Sequence, residues 1–219
     1  MTGLFIFTTI CSFTGLVPAL YAILKYKLIN EEHRIFVFYL IVGCAVDISG
    51  RLSLIFRYLI FARELSNFYI LFEGIIFLIL FYKWSALKRT SFIIFLTLIF
   101  VSWFLDNYYL KSFDDSCSMY RILYSIIIVL LSIKLVQKVN LNQRASILKD
   151  PLSLISITLI FNFSYRSVFE SLYLFKLGFS NNFYLSAYLI FITFNVISNC
   201  TYTYAIYCMG LRKRLSSFY

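Results

Sequence analysis

Six ionisable residues interrupt otherwise apolar stretches of this sequence: Asp47, Glu73 and Glu170 against Arg51, Arg121 and Arg166. Three acids stand against three bases, so the set is formally neutral. In an apolar setting such groups can lock helices together as ion pairs, relay ions or protons, or hold a small polar or charged ligand. Asp47 and Arg51 are four residues apart, as are Arg166 and Glu170. In a helix that spacing sets each pair on one face, one turn apart. Asn162 precedes Arg166 by four and Tyr173 follows Glu170 by three, so Asn162, Arg166, Glu170 and Tyr173 form one polar stripe. Gly43, Asp47 and Gly50 share another face, where small residues let a neighbouring helix come close. Asn195 and Asn199, with Ser198 and Tyr202, repeat the helical spacing further on. Hydrogen bonding between helices is the expected role of those two asparagines.

Familiar catalytic constellations are missing. The one histidine, His33, sits beside Glu31, Glu32 and Arg34, as a solvated loop residue would. A histidine metal cluster, an HExxH helix and a Ser–His–Asp arrangement cannot be built with it alone. No GxSxG and no phosphate loop occurs. No enzyme activity, no metal and no cofactor is expected.

The stretches that carry these charges must be membrane helices. The chain has 219 residues, 61% of them hydrophobic, and a mean hydropathy of +0.84. About 18 or more mostly apolar residues span the hydrocarbon core as a helix. Seven such segments are predicted: Leu4–Leu24, Ile35–Phe56, Leu65–Tyr82, Ser91–Tyr109, Met119–Val136, Leu152–Phe175 and Phe183–Met209. The fold class expected is an all-α integral membrane protein, a single seven-transmembrane-helix bundle over 1–219. The seventh segment holds no lysine, which argues against a retinal Schiff base of the rhodopsin kind.

The loops set an orientation. Arg57, Arg63, Lys111 and Lys176 make four basic residues on the side of the N-terminus. Thirteen lie on the other side, among them Lys25, Lys83, Arg89, Lys138 and Arg212. Basic loops stay in the cytoplasm during insertion. The N-terminus is therefore expected outside and the C-terminus inside. The net charge of +10 then reads as a topology signal, aided by anionic lipid headgroups, with no nucleic-acid partner implied. Nothing basic precedes the first segment, so a cleaved signal is not expected.

The depth of the charges follows. At about 1.5 Å per residue, Glu170 and Arg51 lie about 8 Å below the outer helix ends, Glu73 about 12 Å and Arg166 about 14 Å. Asp47 falls near the midplane and Arg121 at the outer rim. A polar cavity opening outward is the leading reading, and ion pairs that only hold helices together are the competing one. Five cysteines, Cys11, Cys44, Cys117, Cys200 and Cys208, form no close metal-type pair. A Cys11–Cys117 bridge across the outer side is conceivable from the topology.

The second and sixth segments each carry an acid–base pair four apart. That would suit two parallel three-helix repeats joined by a linking helix, as in small sugar or vitamin transporters. The order of acid and base is reversed between them, and Pro18 and Pro151 are not at equivalent positions.

The whole chain resembles a family of uncharacterised seven-transmembrane-helix proteins of the inner membrane, common in Bacteroidota. The residues that carry the resemblance are Phe38-Tyr39-Leu40 leading to Asp47 and Asn67-Phe68-Tyr69-Ile70 leading to Glu73. The aromatic sixth segment and the Asn195/Asn199 pattern add to it. The resemblance implies a bacterial inner-membrane address and no mechanism.

The function expected is a non-enzymatic sensor or receptor-like subunit. A small polar or charged ligand, or a relayed ion, would meet Asp47, Arg51, Glu73, Arg121, Arg166, Glu170, Tyr173 or Asn162, and a cytoplasmic or membrane partner would take the signal. A small-solute or proton-coupled transporter and a structural subunit of a membrane complex are the alternatives. The orientation is testable directly. A reporter fused after Tyr219 should be active in the cytoplasm, and one inserted in the 111–118 connection should be active outside. The opposite result at both sites overturns it.

Overall fold

The computed structural model describes residues 3–110, 118–142, 149–175 and 178–216. Among them no strand occurs and eight α-helices do: α1 (Gly3–Phe13), α2 (Leu16–Lys25), α3 (Glu31–Ile55), α4 (Leu59–Lys83), α5 (Arg89–Leu105), α6 (Ser118–Asn142), α7 (Pro151–Leu174) and α8 (Asn181–Ser216). Seven of the resulting spans are long and apolar enough to cross a membrane, α1 and α2 together making the first.

The first span is broken where the sequence predicted one helix. Pro18, in the first turn of α2, has no amide hydrogen, and its ring would crowd the carbonyl of Thr14 in a continuous helix. The chain instead turns at Thr14–Gly15, through bonds from the Thr14 amide to the Cys11 carbonyl (3.2 Å) and from the Gly15 amide to the Ser12 carbonyl (3.4 Å).

Other ends run past the predicted ones because polar residues extend helices beyond the apolar core. α3 begins at Glu31, and its acidic first turn suits the positive end of the helix dipole. His33 lies in that turn and sets its ring edge-on to Trp84 at 6.0 Å, so it is not a loop residue. α4 begins at Leu59, which places Arg63 inside the helix and shortens its connection from α3 to residues 56–58. Arg57 turns that corner with φ 64°. The fourth span ends in a wide π-type turn, Asp106–Leu110. The Asp106 carboxylate there accepts the Tyr120 amide (2.9 Å), tying the end of α5 to the start of α6. Asp150 caps α7 by accepting the Ser153 amide (2.9 Å), with Pro151 at the first helical position.

Six spans form a ring. In order around it come α1–α2, α3, α4, α6, α7 and α8, which returns to α2 and α1. The fourth span, α5, packs outside this ring on α4, with lesser contact to α6. α6 and α7 pair most extensively, and both bury serines: Ser125 and Ser132 on α6, Ser153 and Ser156 on α7. Small side chains permit close helix approach without hydrophobic drive from the lipid.

The ring has two faces. α3 and α7 end and α4, α6 and α8 begin at the N-terminal face; the opposite helix ends define the C-terminal face. Towards the C-terminal face the interior is filled by buried Phe36, Phe77, Phe81, Trp84, Ala205, Ile206 and Met209. Phe36 is the hinge of this plug, with Tyr202 at 5.3 Å and Trp84 at 6.5 Å between ring centroids.

Two glycines hold helices close. A Cβ on Gly43 would lie 2.8 Å from the Tyr69 hydroxyl, and one on Gly74 would lie 2.9 Å from the Tyr120 hydroxyl. Gly50, on the same face as Gly43, has nothing within 4 Å. Gly43→Val and Gly74→Val should each cost about 1–3 kcal/mol through overpacking. Gly50→Val should leave stability unchanged. Thermal melts of the three purified variants in detergent check this; equal melting temperatures for Gly43→Val and Gly50→Val would contradict it.

Candidate functional site

The ring encloses a cavity of about 590 Å³. Its lining runs from Leu54, Leu59 and Arg63, near the N-terminal face, down to Tyr39, Glu73 and Tyr202 above the aromatic plug. α1, α3, α4, α6, α7 and α8 all contribute.

Glu73 forms the floor. It is only 4% exposed, on α4. One carboxylate oxygen accepts from Arg166 Nη1 of α7 (2.9 Å) and from the Tyr124 hydroxyl of α6 (2.7 Å). The other accepts from the Tyr39 hydroxyl of α3 (3.3 Å). Four spans therefore meet on a single carboxylate. The Arg166 guanidinium also lies over the Tyr124 and Phe163 rings, at 5.4 and 5.7 Å, so its charge is met by aromatic faces as well as by the anion. A buried ion must be compensated on all sides, and here every side is supplied.

The second ion pair is Arg121 Nη1 to Glu170 Oε1 at 2.9 Å, joining α6 to α7, with Arg121 Nη2 also donating to Ser66 of α4 (3.1 Å). Glu170 is buried. Arg121 lines the cavity; Glu170 and Tyr173 do not. Tyr173 packs instead on Phe169 and Tyr184, with centroids 5.0 Å away in both cases, within an aromatic seam between α7 and α8. The predicted stripe from Asn162 to Tyr173 is thus split. Asn162 and Arg166 face the cavity, Glu170 holds two helices, and Tyr173 joins the seam.

Arg51 reaches the other way. Its Nε and Nη2 donate to Ser12 Oγ (3.1 and 2.8 Å), and Nη2 also to the Thr8 carbonyl (3.4 Å), fastening α1 to α3. Asp47 and Arg51 make no ion pair with each other, nor do Arg166 and Glu170. Spacing along one helix suggested local pairs, and the bundle pairs acids and bases across helices instead. A longer reach to a neighbouring helix lets the same charge also stabilise tertiary packing. Asp47 lines the cavity and is open to it.

The asparagines bridge helices. Asn199 Nδ2 donates to Thr14 Oγ1 at the break in the first span (2.9 Å). Asn162 Nδ2 donates to Ser198 Oγ (3.1 Å) and to Asn195 Oδ1 (3.4 Å). Asn162, Asn195 and Asn199 also line the cavity. Cys11 is a free thiol on the cavity wall; Cys117 lies outside the described residues.

Tyr39, Tyr124, Ser12 and Ser66 were not singled out as site residues from the sequence. Two of them carried a signal. Tyr39, Gly43 and Asp47 repeat every four residues, and Ser66, Tyr69 and Glu73 follow at three and four. All six line the cavity. Ser12 and Tyr124 had no such signal, because their role exists only once α1 meets α3 and α6 meets α4. Among the described residues no group of three or more His, Cys, Asp or Glu is placed to hold a metal ion. The arrangement lines the cavity with hydrogen-bond donors, acceptors and charges of both signs. No family model matches this chain, and neither a curated protein nor a solved structure matches it.

Proposed function

We propose that this chain is a non-enzymatic, receptor-like sensor of the bacterial inner membrane, which takes a small polar or charged ligand into its cavity from outside. The observation that carries the reading is a one-ended cavity. Polar and charged side chains line it from the N-terminal face to Glu73, and buried aromatics and aliphatics fill the bundle beyond. A binding site needs one open end; a transport path needs a second. The basic loops support the orientation, with the mouth outside and the plug toward the cytoplasm.

A signal requires two arrangements that the ligand binds unequally. The first span is the natural moving element. It is broken at Thr14–Gly15 and held just before and at the break by hydrogen bonds, from Arg51 to Ser12 and from Asn199 to Thr14. A ligand that draws Arg51 away from Ser12 frees α1. A partner protein, met at the basic cytoplasmic face, would receive that change.

The transporter reading has one observation in its favour. Six spans form the ring and the fourth lies outside it, as two parallel three-helix repeats with a linker would be arranged.

Cys44 lies on the cavity wall and is partly exposed. With the other cysteines replaced by serine, a membrane-impermeant thiol reagent should modify Cys44 from outside the cell and not from the cytoplasmic side. Modification from both sides would favour the transporter. No modification from outside would contradict the sensor reading.

A further inference from the structure

Of the six charges that the sequence placed within the apolar segments, four neutralise one another at 2.9 Å, Glu73 with Arg166 and Glu170 with Arg121. Asp47 and Arg51 are left over. The Asp47 carboxylate makes no hydrogen bond or ion pair with any described residue, and no carboxylate lies within ion-pair reach of Arg51. Among the described residues Arg51 is held only by neutral oxygens, Ser12 Oγ and the Thr8 carbonyl, and its Nη1 makes no hydrogen bond. An ion without a counter-ion at this depth costs several kcal/mol. A carboxylate and a guanidinium one turn apart would ordinarily satisfy each other. Here the guanidinium is drawn across to α1, and the pair stands open.

We propose that the cavity takes a small zwitterion of the α-amino-acid class, with its carboxylate on Arg51 and its ammonium on Asp47. This rests on the cavity reading above and names the chemistry of its ligand. The two residues stand about 6 Å apart along α3, and both line the cavity. A ligand whose opposite charges are separated by one carbon bridges that gap, each charge meeting its complement in a charge-assisted hydrogen bond. The wall between them is bare: Gly50 also lines the cavity, and nothing lies within 4 Å of where its Cβ would be. A simple anion would sit on Arg51 with Asp47 facing it as a like charge. A simple cation would sit on Asp47 facing Arg51. Each is rejected by the residue it fails to satisfy. The remaining volume, walled by Tyr69, Phe163 and Phe191, has room for a side chain.

The test uses the purified full-length chain in detergent. The probes are the standard L-amino acids one at a time, the N-acetyl and C-amide derivatives of any that bind, and phosphorylethanolamine as a lipid-headgroup zwitterion. Calorimetric titration and the melting temperature are the readouts. At least one free amino acid should bind and raise the melting temperature. Both of its derivatives should bind about tenfold or more weakly, the loss of one charge-assisted contact. Asp47→Asn removes no hydrogen bond or ion pair seen among the described residues, so it should melt close to the wild type and still lose about tenfold or more in affinity. Arg51→Gln should lose binding too. The inference is overturned if no free amino acid binds, if phosphorylethanolamine alone binds, or if either derivative binds as well as its parent. Undiminished affinity in Asp47→Asn also overturns it. Cys44 still reacting from outside would then mean that the cavity stands and only the ligand class is wrong.

Discussion

A carboxylate inside an apolar bundle must find every one of its partners within the protein, and Glu73 sets the rest of this structure by doing so. Its oxygens collect Arg166, Tyr124 and Tyr39 from three other spans. Lipid offers no water to substitute for a missing partner, so these contacts constrain helix rotation more tightly than apolar packing does. Leucine and isoleucine pack acceptably in many registers. A carboxylate that needs two hydroxyls and a guanidinium at hydrogen-bond distance accepts few.

That cluster also divides the interior. On one side lies the plug of Phe36, Phe77, Phe81 and Trp84, all fully or nearly fully buried. On the other lies the cavity, where charge is less completely matched. Glu73 is compensated on all sides, Arg121 pairs with Glu170, and Asp47 makes no hydrogen bond or ion pair among the described residues. Of the cavity's charges, Arg51 also fastens the broken first span, through Ser12 and Thr8.

Much of this was legible in the sequence, for reasons that differ from element to element. Seven spans were visible because nothing but lipid accommodates so much apolar side chain. The six charges were visible as types, since an ionisable residue in a membrane segment needs a reason to be there. Their partners were not. Asp47 and Arg51 at one-turn spacing read as a pair, and only the position of Ser12 on α1 shows why Arg51 turns away. Arg166 has an acid one turn along its own helix and takes one from α4 instead, a choice settled by how α4, α6 and α7 meet. The break in the first span was not read, because an unbroken apolar run hid what Pro18 does to the helix before it. The seam that holds Tyr173 was hidden among 25 phenylalanines and 18 tyrosines, which apolar composition alone cannot sort into lipid-facing and packed.

The central claim is that Glu73 and Arg166 act as one unit across the bundle. A double-mutant cycle tests it most directly, comparing the melting free energies of Glu73→Gln, Arg166→Gln and the double variant in detergent. Removing either partner alone strands the other and should cost about 3–5 kcal/mol. The double variant should cost clearly less than the sum, with a coupling of about 2 kcal/mol or more. Additive losses, or single variants that melt with the wild type, would contradict the account.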